Sequence, residues 1–275
     1  MEHHLGPLCK LRDWIPIEKL NHFWLLSNPN AIHLYDNSFD NYLSIQFLSE
    51  NPNAIHILEK NLDKVVWHSL SQNPNAIHIL EQNIDKINWY FLSRNPNAIH
   101  ILEKNIDKIS WTDLSVNPNA IHILERFPDK IDWKLLSANP NAIHLLEQNM
   151  DKIYWPCLSK NPNAIHLLEQ NIDKIDCSCL SINPNAIHLL ETNLDKINLY
   201  GLAQNPNAIH ILQNIHNFRF WNVLSANPAI FEYDYEAMKK RIGLYKEELV
   251  AKQFHPKNMS KFIGWGFEEF DDLEF

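Results

Sequence analysis

The hexapeptide Asn-Pro-Asn-Ala-Ile-His begins at Asn28, Asn51, Asn73, Asn95, Asn117, Asn139, Asn161, Asn183 and Asn205, and a degraded tenth copy begins at Asn227. After a first interval of 23 residues, every step is 22. The unit reads N-P-N-A-I-H-[IL]-L-E-x-N-[IL]-D-K-I-x-W-x-x-L-S-x. A unit this short cannot bury its own apolar face, so neighbours must stack and share one core. The expected fold is all-α: an α-solenoid of about nine to ten 22-residue helix-turn-helix repeats with N- and C-terminal caps.

Asn-Pro starts a helix well, because an Asn side chain caps free N–H groups and Pro at the first helical position gives up no needed donor. The spacing predicts a first helix from about Pro162 to Gln170 in the unit beginning at Asn161. Ala164, Ile165, Leu167 and Leu168 then share one arc, with His166 opposite it. The Asn closing this helix (Asn61, Asn83, Asn105, Asn149, Asn171, Asn193) is a residue type that tolerates the left-handed conformation of helix ends.

The second helix starts at the Trp. The slot before it holds the capping types Asn88, Ser110, Asp132, Asp176 and Asn198, and Pro156 just after Trp155 is tolerated only in a first turn. The intervening N-x-D-K-I is a turn or short 3₁₀ segment. Trp133, Leu136 and Ser137 share a face while Lys134 and Ala138 point away, and the slots at 134 and 138 are the ones that change from copy to copy. Adjacent helices about 8–10 Å apart make a rod or arc on the order of 80–100 Å long.

The boundaries read as an N-terminal cap with a half-repeat over 1–27, where Phe23, Leu26 and Ser27 reproduce W-x-x-L-S, and repeats over 28–226. A degraded repeat and capping helix follow over 227–256, then an acidic aromatic tail over 257–275. Asp234 can cap that last helix, which carries Met238, Ile242, Tyr245 and Leu249 on one face.

Composition removes several function classes. Gly 5 in 275 residues leaves little for phosphate-cradling loops, and a formal net charge of −9 disfavours a phosphate-backbone binder, so nucleic acid is not expected. No apolar run approaches a membrane span, so no membrane partner is expected either. Four cysteines (Cys9, Cys157, Cys177, Cys179) form no disulfide or zinc pattern. More than half of the −9 sits in Glu268, Glu269, Asp271, Asp272 and Glu274.

Nine histidines recur at one helical slot: His33, His56, His78, His100, His122, His144, His166, His188 and His210. Helix spacing of about 8–10 Å keeps them too far apart for the convergent shell a zinc ion needs, so neither metal nor cofactor is expected. They read either as a surface ladder, each His bonding its own Glu three residues on, or as a ridge that meets a protein partner. His68, Tyr90, Lys134 and Lys160 in the variable slots are the candidate specificity positions, and Trp265, Phe267, Phe270 and Phe275 form a docking tail or fold back as a cap. The Trp series reads as core. Nothing resembles a nucleophile with its base and orienting group, so the expectation is a protein that is not an enzyme.

The array NPNAIHLLE…N-x-DKIxWxxLSxNPNAIH resembles the tandem-repeat proteins of giant amoeba viruses of the mimivirus-type lineage, and the segment from Tyr233 to Phe267 is similar to endings common in those viruses. The resemblance implies a viral origin and a location in the host cell cytoplasm or the virion. It implies no catalytic activity. The expected role is a non-enzymatic repeat scaffold for protein-protein interaction with a host or viral protein, with a structural or minor virion component, and then a metal-dependent enzyme, as the alternatives.

Overall fold

The computed structural model describes residues 8–35, 42–191, 196–253 and 255. Leu11–Phe231 form one compact unit, an α-solenoid in which each repeat contributes two short helices. The second helices run His22–Ser27, Tyr42–Glu50, Trp67–Gln72, Trp89–Arg94, Trp111–Leu114, Trp133–Leu136, Trp155–Lys160, Cys177–Leu180, Leu199–Gln204 and Trp221–Ser225. From the Trp67 unit onward they begin at the Trp slot, as the capping residues require. Asp132 Oδ1 accepts from Leu135 N at 3.0 Å and Asp176 Oδ1 from Cys179 N at 2.8 Å. Pro156 stands in the first turn of its helix, where its missing N–H costs nothing.

The first helices are shorter than the spacing predicts. The example at 162–170 runs only Ile165–Glu169, and its equivalents include Ile77–Glu81, Ile99–Glu103 and Ile143–Glu147. Asn161-Pro162-Asn163 forms a separate turn in which Ala164 N donates to Asn161 O at 3.2 Å and Asn163 N to Asn161 Oδ1 at 3.0 Å. Ala164 itself is non-helical at φ −92, ψ 11, so the α-helix starts one residue later. The N-x-D-K-I stretch is 3₁₀ helix, as at Ile84–Lys86 and Ile172–Lys174. Among the described residues the Asn closing the first helix is not left-handed. Asn83 sits at φ −136, ψ 49, and its Nδ2 donates back to Ile79 O at 2.9 Å, satisfying a carbonyl the short helix leaves open.

One Asn and one Ser per unit do most of the polar work between units. Asn117, fully buried, receives Asn119 N on its Oδ1 at 3.0 Å and donates from Nδ2 to Ser93 O and Asn95 O of the preceding unit, both at 2.9 Å. The same bonds recur at Asn51, Asn73, Asn95, Asn139, Asn161, Asn183, Asn205 and Asn227. Buried Ser137 donates to Trp133 O at 2.7 Å and accepts Tyr154 N of the next unit at 3.0 Å. Around this polar ladder the Leu and Ala slots fill the core; Leu70, Leu80, Leu92, Leu102, Ala98 and Ala120 are fully buried.

The ladder has no first rung, and the expected rod or arc is a ring. Asn28 Nδ2 donates to Ser225 O and Asn227 O, both at 2.9 Å, which is the junction every other unit makes with its predecessor. Asn30 Nδ2 reaches Pro228 O at 3.0 Å, Arg12 N and Nε reach Ile230 O and Ala229 O at 3.0 and 2.8 Å, and His22–Ser27 packs on Trp221–Ser225. Ten equal steps close a circle at about 36° each, so a constant rotation between neighbours is all that closure requires.

Closure also corrects the register of the half-repeat. Asn21 N donates to Ser225 Oγ at 2.8 Å and Asn51 Nδ2 to Leu26 O at 2.7 Å, so Asn21 is the capping slot, His22 the Trp slot, Leu25 the Leu slot and Leu26 the Ser slot. The frame Phe23, Leu26, Ser27 is one residue late. The segment before it covers the last unit by completing it: the 3₁₀ turn Ile17–Lys19 stands where Ile84–Lys86 stands elsewhere, and Trp14 packs on Trp221 at 6.4 Å.

The second compact unit holds residues 8–10 and 232–253 of the described chain. The strands β1, Cys9–Leu11, and β2, Phe231–Tyr233, pair in a two-stranded sheet. Helix Tyr235–Gln253 starts as expected on Asp234, whose Oδ1 accepts Ala237 N at 2.9 Å. On its expected packing face Met238 is half-buried, while Ile242 and Leu249 are each 62% exposed.

Candidate partner surface

Two bands run across the repeats. The first lies on the first helices and carries the histidines. All nine are exposed, and seven accept or donate at Nε2 with a Glu of the preceding unit, nineteen residues earlier, rather than with their own Glu three residues on. His78–Glu59 and His100–Glu81 close to 2.8 Å, the pairs of His122, His144, His166 and His188 to 3.0 Å, and His210–Glu191 to 3.5 Å. The reason is geometric. The Glu closing each of these helices reaches across the junction to the imidazole of the unit that follows, as Glu147 does to His166 and Glu169 to His188. Exposed Asn residues extend the band, with Asn97 and Asn141 donating from Nδ2 to Pro74 O and Pro118 O at 2.9 and 2.8 Å.

The series is interrupted at the closure. His33 meets the edge of the Phe231 ring at 5.6 Å in place of a carboxylate, and burial there holds its pKa below the ordinary histidine value. His33 and His56 also line a cleft of about 310 Å³ with Tyr35, Lys60 and Asn61.

The second band follows the second helices and carries the variable slots. His68 stacks with Phe91 at 5.6 Å; the Arg94 guanidinium lies 5.2 Å over the Tyr90 ring and donates to its hydroxyl at 3.1 Å; Lys134 lies 5.1 Å over Tyr154. Lys160 is exposed and its charge acts on both Cys157 and Cys179. Burial raises both thiols above the ordinary cysteine value.

The slot at 138 does not simply point away. The residue after the Ser and the second residue after the Trp of the next unit face one another across several junctions. Arg94 Nε meets buried Asp113 Oδ1 at 2.5 Å, with Ser110 Oγ on Oδ2 at 2.5 Å; Glu50 Oε1 accepts from Ser69 Oγ at 2.9 Å; and a Cβ on Gly201 would stand 3.1 Å from Ile182 Cγ1. At the closing junction Ala226 and Trp24 share a cleft of about 300 Å³ with Tyr200, Gln204 and Val223.

Sequence reasoning missed the Lys of the Asp-Lys pair. It lies over the Trp of the preceding unit: Lys86 over Trp67 at 4.7 Å, Lys108 over Trp89 at 4.8 Å, Lys152 over Trp133 at 4.3 Å, Lys174 over Trp155 at 4.5 Å, and across the closure Lys19 over Trp221 at 5.2 Å. These Trp rings are half-buried rather than deep core. The signal was available as a constant offset of nineteen residues between Trp and Lys.

Among the described residues no group of three His, Cys, Asp or Glu is placed to hold a metal ion, and no helix is long and apolar enough to cross a membrane. Trp265, Phe267, Phe270 and Phe275 lie outside the described residues. No protein-family model, curated protein or solved structure matches this chain.

Proposed function

We propose that the ring is a non-enzymatic scaffold that binds a protein partner through the second-helix band, around His68, Tyr90, Lys134 and Lys160. The observation that carries this reading is a division of labour within the unit. The Asn, Ser, Leu and Ala slots, identical in most copies, are buried and spent on holding neighbours together, whereas the slots after the Trp differ between copies and set half-buried His68 and exposed Tyr90, Thr112 and Lys134 on consecutive units, with exposed Tyr200 further along. A rigid frame with a varied outer row is what recognition by repeat proteins uses. Aromatic and cationic side chains are also the types that anchor protein interfaces.

The His33 to His210 ridge is the second element of the reading. Seven of its imidazoles, His78 to His210, are already engaged with Glu, so that stretch offers a partner a regular polar surface rather than free side chains. The test is affinity capture with the full chain, comparing wild type with Tyr90→Ala/Lys134→Glu/Lys160→Glu and with a variant carrying His→Ala at His100, His122, His144 and His166. Loss of a partner with the first variant and its retention with the second supports the band. Retention of every partner by both sinks the proposal.

A further inference from the structure

We propose that the cleft of about 300 Å³ at the closing junction is an anchor site for one uncharged aromatic side chain of a partner peptide. The inference rests on the second-helix band being the binding surface, because Tyr200 in the cleft lining fills the slot that His68, Tyr90 and Lys134 fill in other units. Closure makes the cleft. Ala226 is the residue after the Ser, the slot from which Arg94 reaches Asp113 and Ile182 comes within 3.1 Å of a Cβ on Gly201. A methyl group has no such reach, and the facing slot of the first unit carries Trp24, so a large ring stands beside open space. Tyr200 adds a second ring to the lining, and Val223 and Pro228 add aliphatic surface.

Both rings are braced by aromatic neighbours, Trp24 by Phe47 at 5.7 Å and Tyr200 edge-on by Phe220 at 6.0 Å. Walls held before binding leave little ordering cost for the complex. The polar groups decide the class of occupant. Asn227 donates from Nδ2 to Ala203 O and Asn205 O at 2.8 and 3.1 Å and accepts Ala229 N on Oδ1 at 2.9 Å, while Pro228 O accepts from Asn30 Nδ2 at 3.0 Å. Those groups are committed to holding the ring, and none of the residues lining the cleft is charged. A charged side chain entering would lose water and meet no counter-charge. An aromatic one meets two rings, and offset or edge-on ring pairs are favourable beyond the area they bury. The volume is near the bottom of the range for ligand clefts, enough for one such side chain. Exposed Gln204 carries an amide donor and acceptor, the complement of a peptide bond, which favours a peptide over a free aromatic molecule.

The experiment is saturation-transfer NMR on the full chain with the N-acetyl amides of phenylalanine, tryptophan, lysine and aspartate, and with p-cresol as an aromatic lacking peptide groups. The two aromatic amides should bind with dissociation constants on the order of 1 mM, at least tenfold more tightly than the charged amides and several-fold more tightly than p-cresol. Ala226→Leu fills the cleft and Tyr200→Ala removes a wall that is 47% exposed. Each should weaken the phenylalanine amide at least tenfold, with urea unfolding showing that the variant is folded. Gln204→Ala should weaken that amide several-fold and leave p-cresol unchanged, and Tyr90→Ala/Lys134→Glu/Lys160→Glu should leave both unchanged. Absence of aromatic binding, equal binding of charged and aromatic amides, or binding unaltered in both Ala226→Leu and Tyr200→Ala overturns the proposal. So does p-cresol binding as tightly as the phenylalanine amide, since the occupant is then no peptide. None of these failures touches the band itself, whose own test is capture of a partner that the triple variant loses.

Discussion

Asn28→Ala compared with Asn117→Ala separates a closed ring from an open array. At Asn117 the substitution removes two donations to the preceding unit, at 2.9 Å each, and one acceptance from Asn119 N at 3.0 Å. Asn95 O keeps its bond from Ala98 N, but Ser93 O, past the end of its helix ladder, is left buried and unbonded. One orphaned buried carbonyl costs about 1–3 kcal/mol and the lost turn bond about 0.5–1.5 kcal/mol, giving about 2–4 kcal/mol in all. That is a large share of the roughly 5–15 kcal/mol that holds a domain together. At Asn28 a ring predicts the same loss, because Ser225 O stands where Ser93 O stands and Asn30 N is bonded in the same way at 3.0 Å. An open array predicts much less, since an Asn28 amide at a free edge would face water and only the turn bond, about 0.5–1.5 kcal/mol, would be at stake. The assay is equilibrium urea unfolding of both variants at low protein concentration, with the slope checked for constancy. Losses equal within about 1 kcal/mol support closure; an Asn28 variant as stable as wild type beside an Asn117 variant that loses about 3 kcal/mol refutes it.

Three further outcomes follow from the same geometry. Ser137→Ala removes the acceptor of Tyr154 N and a donor to Trp133 O, and should cost about 1–3 kcal/mol by urea unfolding. Because burial raises the Cys157 and Cys179 thiols, both should react with iodoacetamide at pH 8 more slowly than free cysteine does, as followed by mass spectrometry of the digested protein. Burial lowers the pKa of His33, so protonation favours the unfolded chain: its contribution is fully present above about pH 6.5 and is lost as pH falls from there through the folded value. Melts of wild type and His33→Gln between pH 7.5 and 5.5 should therefore show a shallower acid decline in the variant.

The helices, the capping residues and the 3₁₀ turn were legible because each rests on local chemistry that one copy of the unit contains. Closure was not, because it depends on the rotation between neighbours, a sum over packed side chains that no single unit displays. One sign was nonetheless present. Asp, Ser and Thr cap helices about as well as Asn, yet all ten units open with Asn before the Pro. A carboxylate cannot donate and a hydroxyl has one proton, whereas an amide gives two donors and an acceptor, which is what the turn and two carbonyls of the preceding unit require. The His band was placed correctly on the exposed side but given the wrong Glu, since an offset of three within a helix and of nineteen across a junction look equally regular in a perfect repeat. The one-residue error at the N-terminal half-repeat arose because His22 and Leu26 fill slots that elsewhere hold Trp and Ser, leaving side-chain identity a worse guide than backbone bonding.

The variable slots carry a second message, which a double-mutant cycle can isolate. Every junction shares the Asn rung and most share the Ser, but the facing pair beside them differs in kind: Arg94 with Asp113 is ionic, Val116 and Leu135 occupy the same two slots as hydrocarbons, and Ile182 meets Gly201 as large against small. Arg94→Val alone leaves the Asp113 carboxylate fully buried with only Ser110 to bond it, and removing one partner of a buried pair costs about 3–5 kcal/mol. Asp113→Leu alone strands an Arg whose side chain is 42% exposed and can turn to water, so the loss should be near 1 kcal/mol, the scale of an exposed ion pair. Making both changes transplants the Val-Leu pair into this junction, and replacement of a buried ion pair by packed hydrocarbons is commonly neutral or stabilising. The double variant should therefore be about as stable as wild type, with a coupling energy of at least about 2 kcal/mol by urea unfolding. If the two losses simply add, the slots do not read one another, and the order of units around the ring must be set by chain connectivity alone.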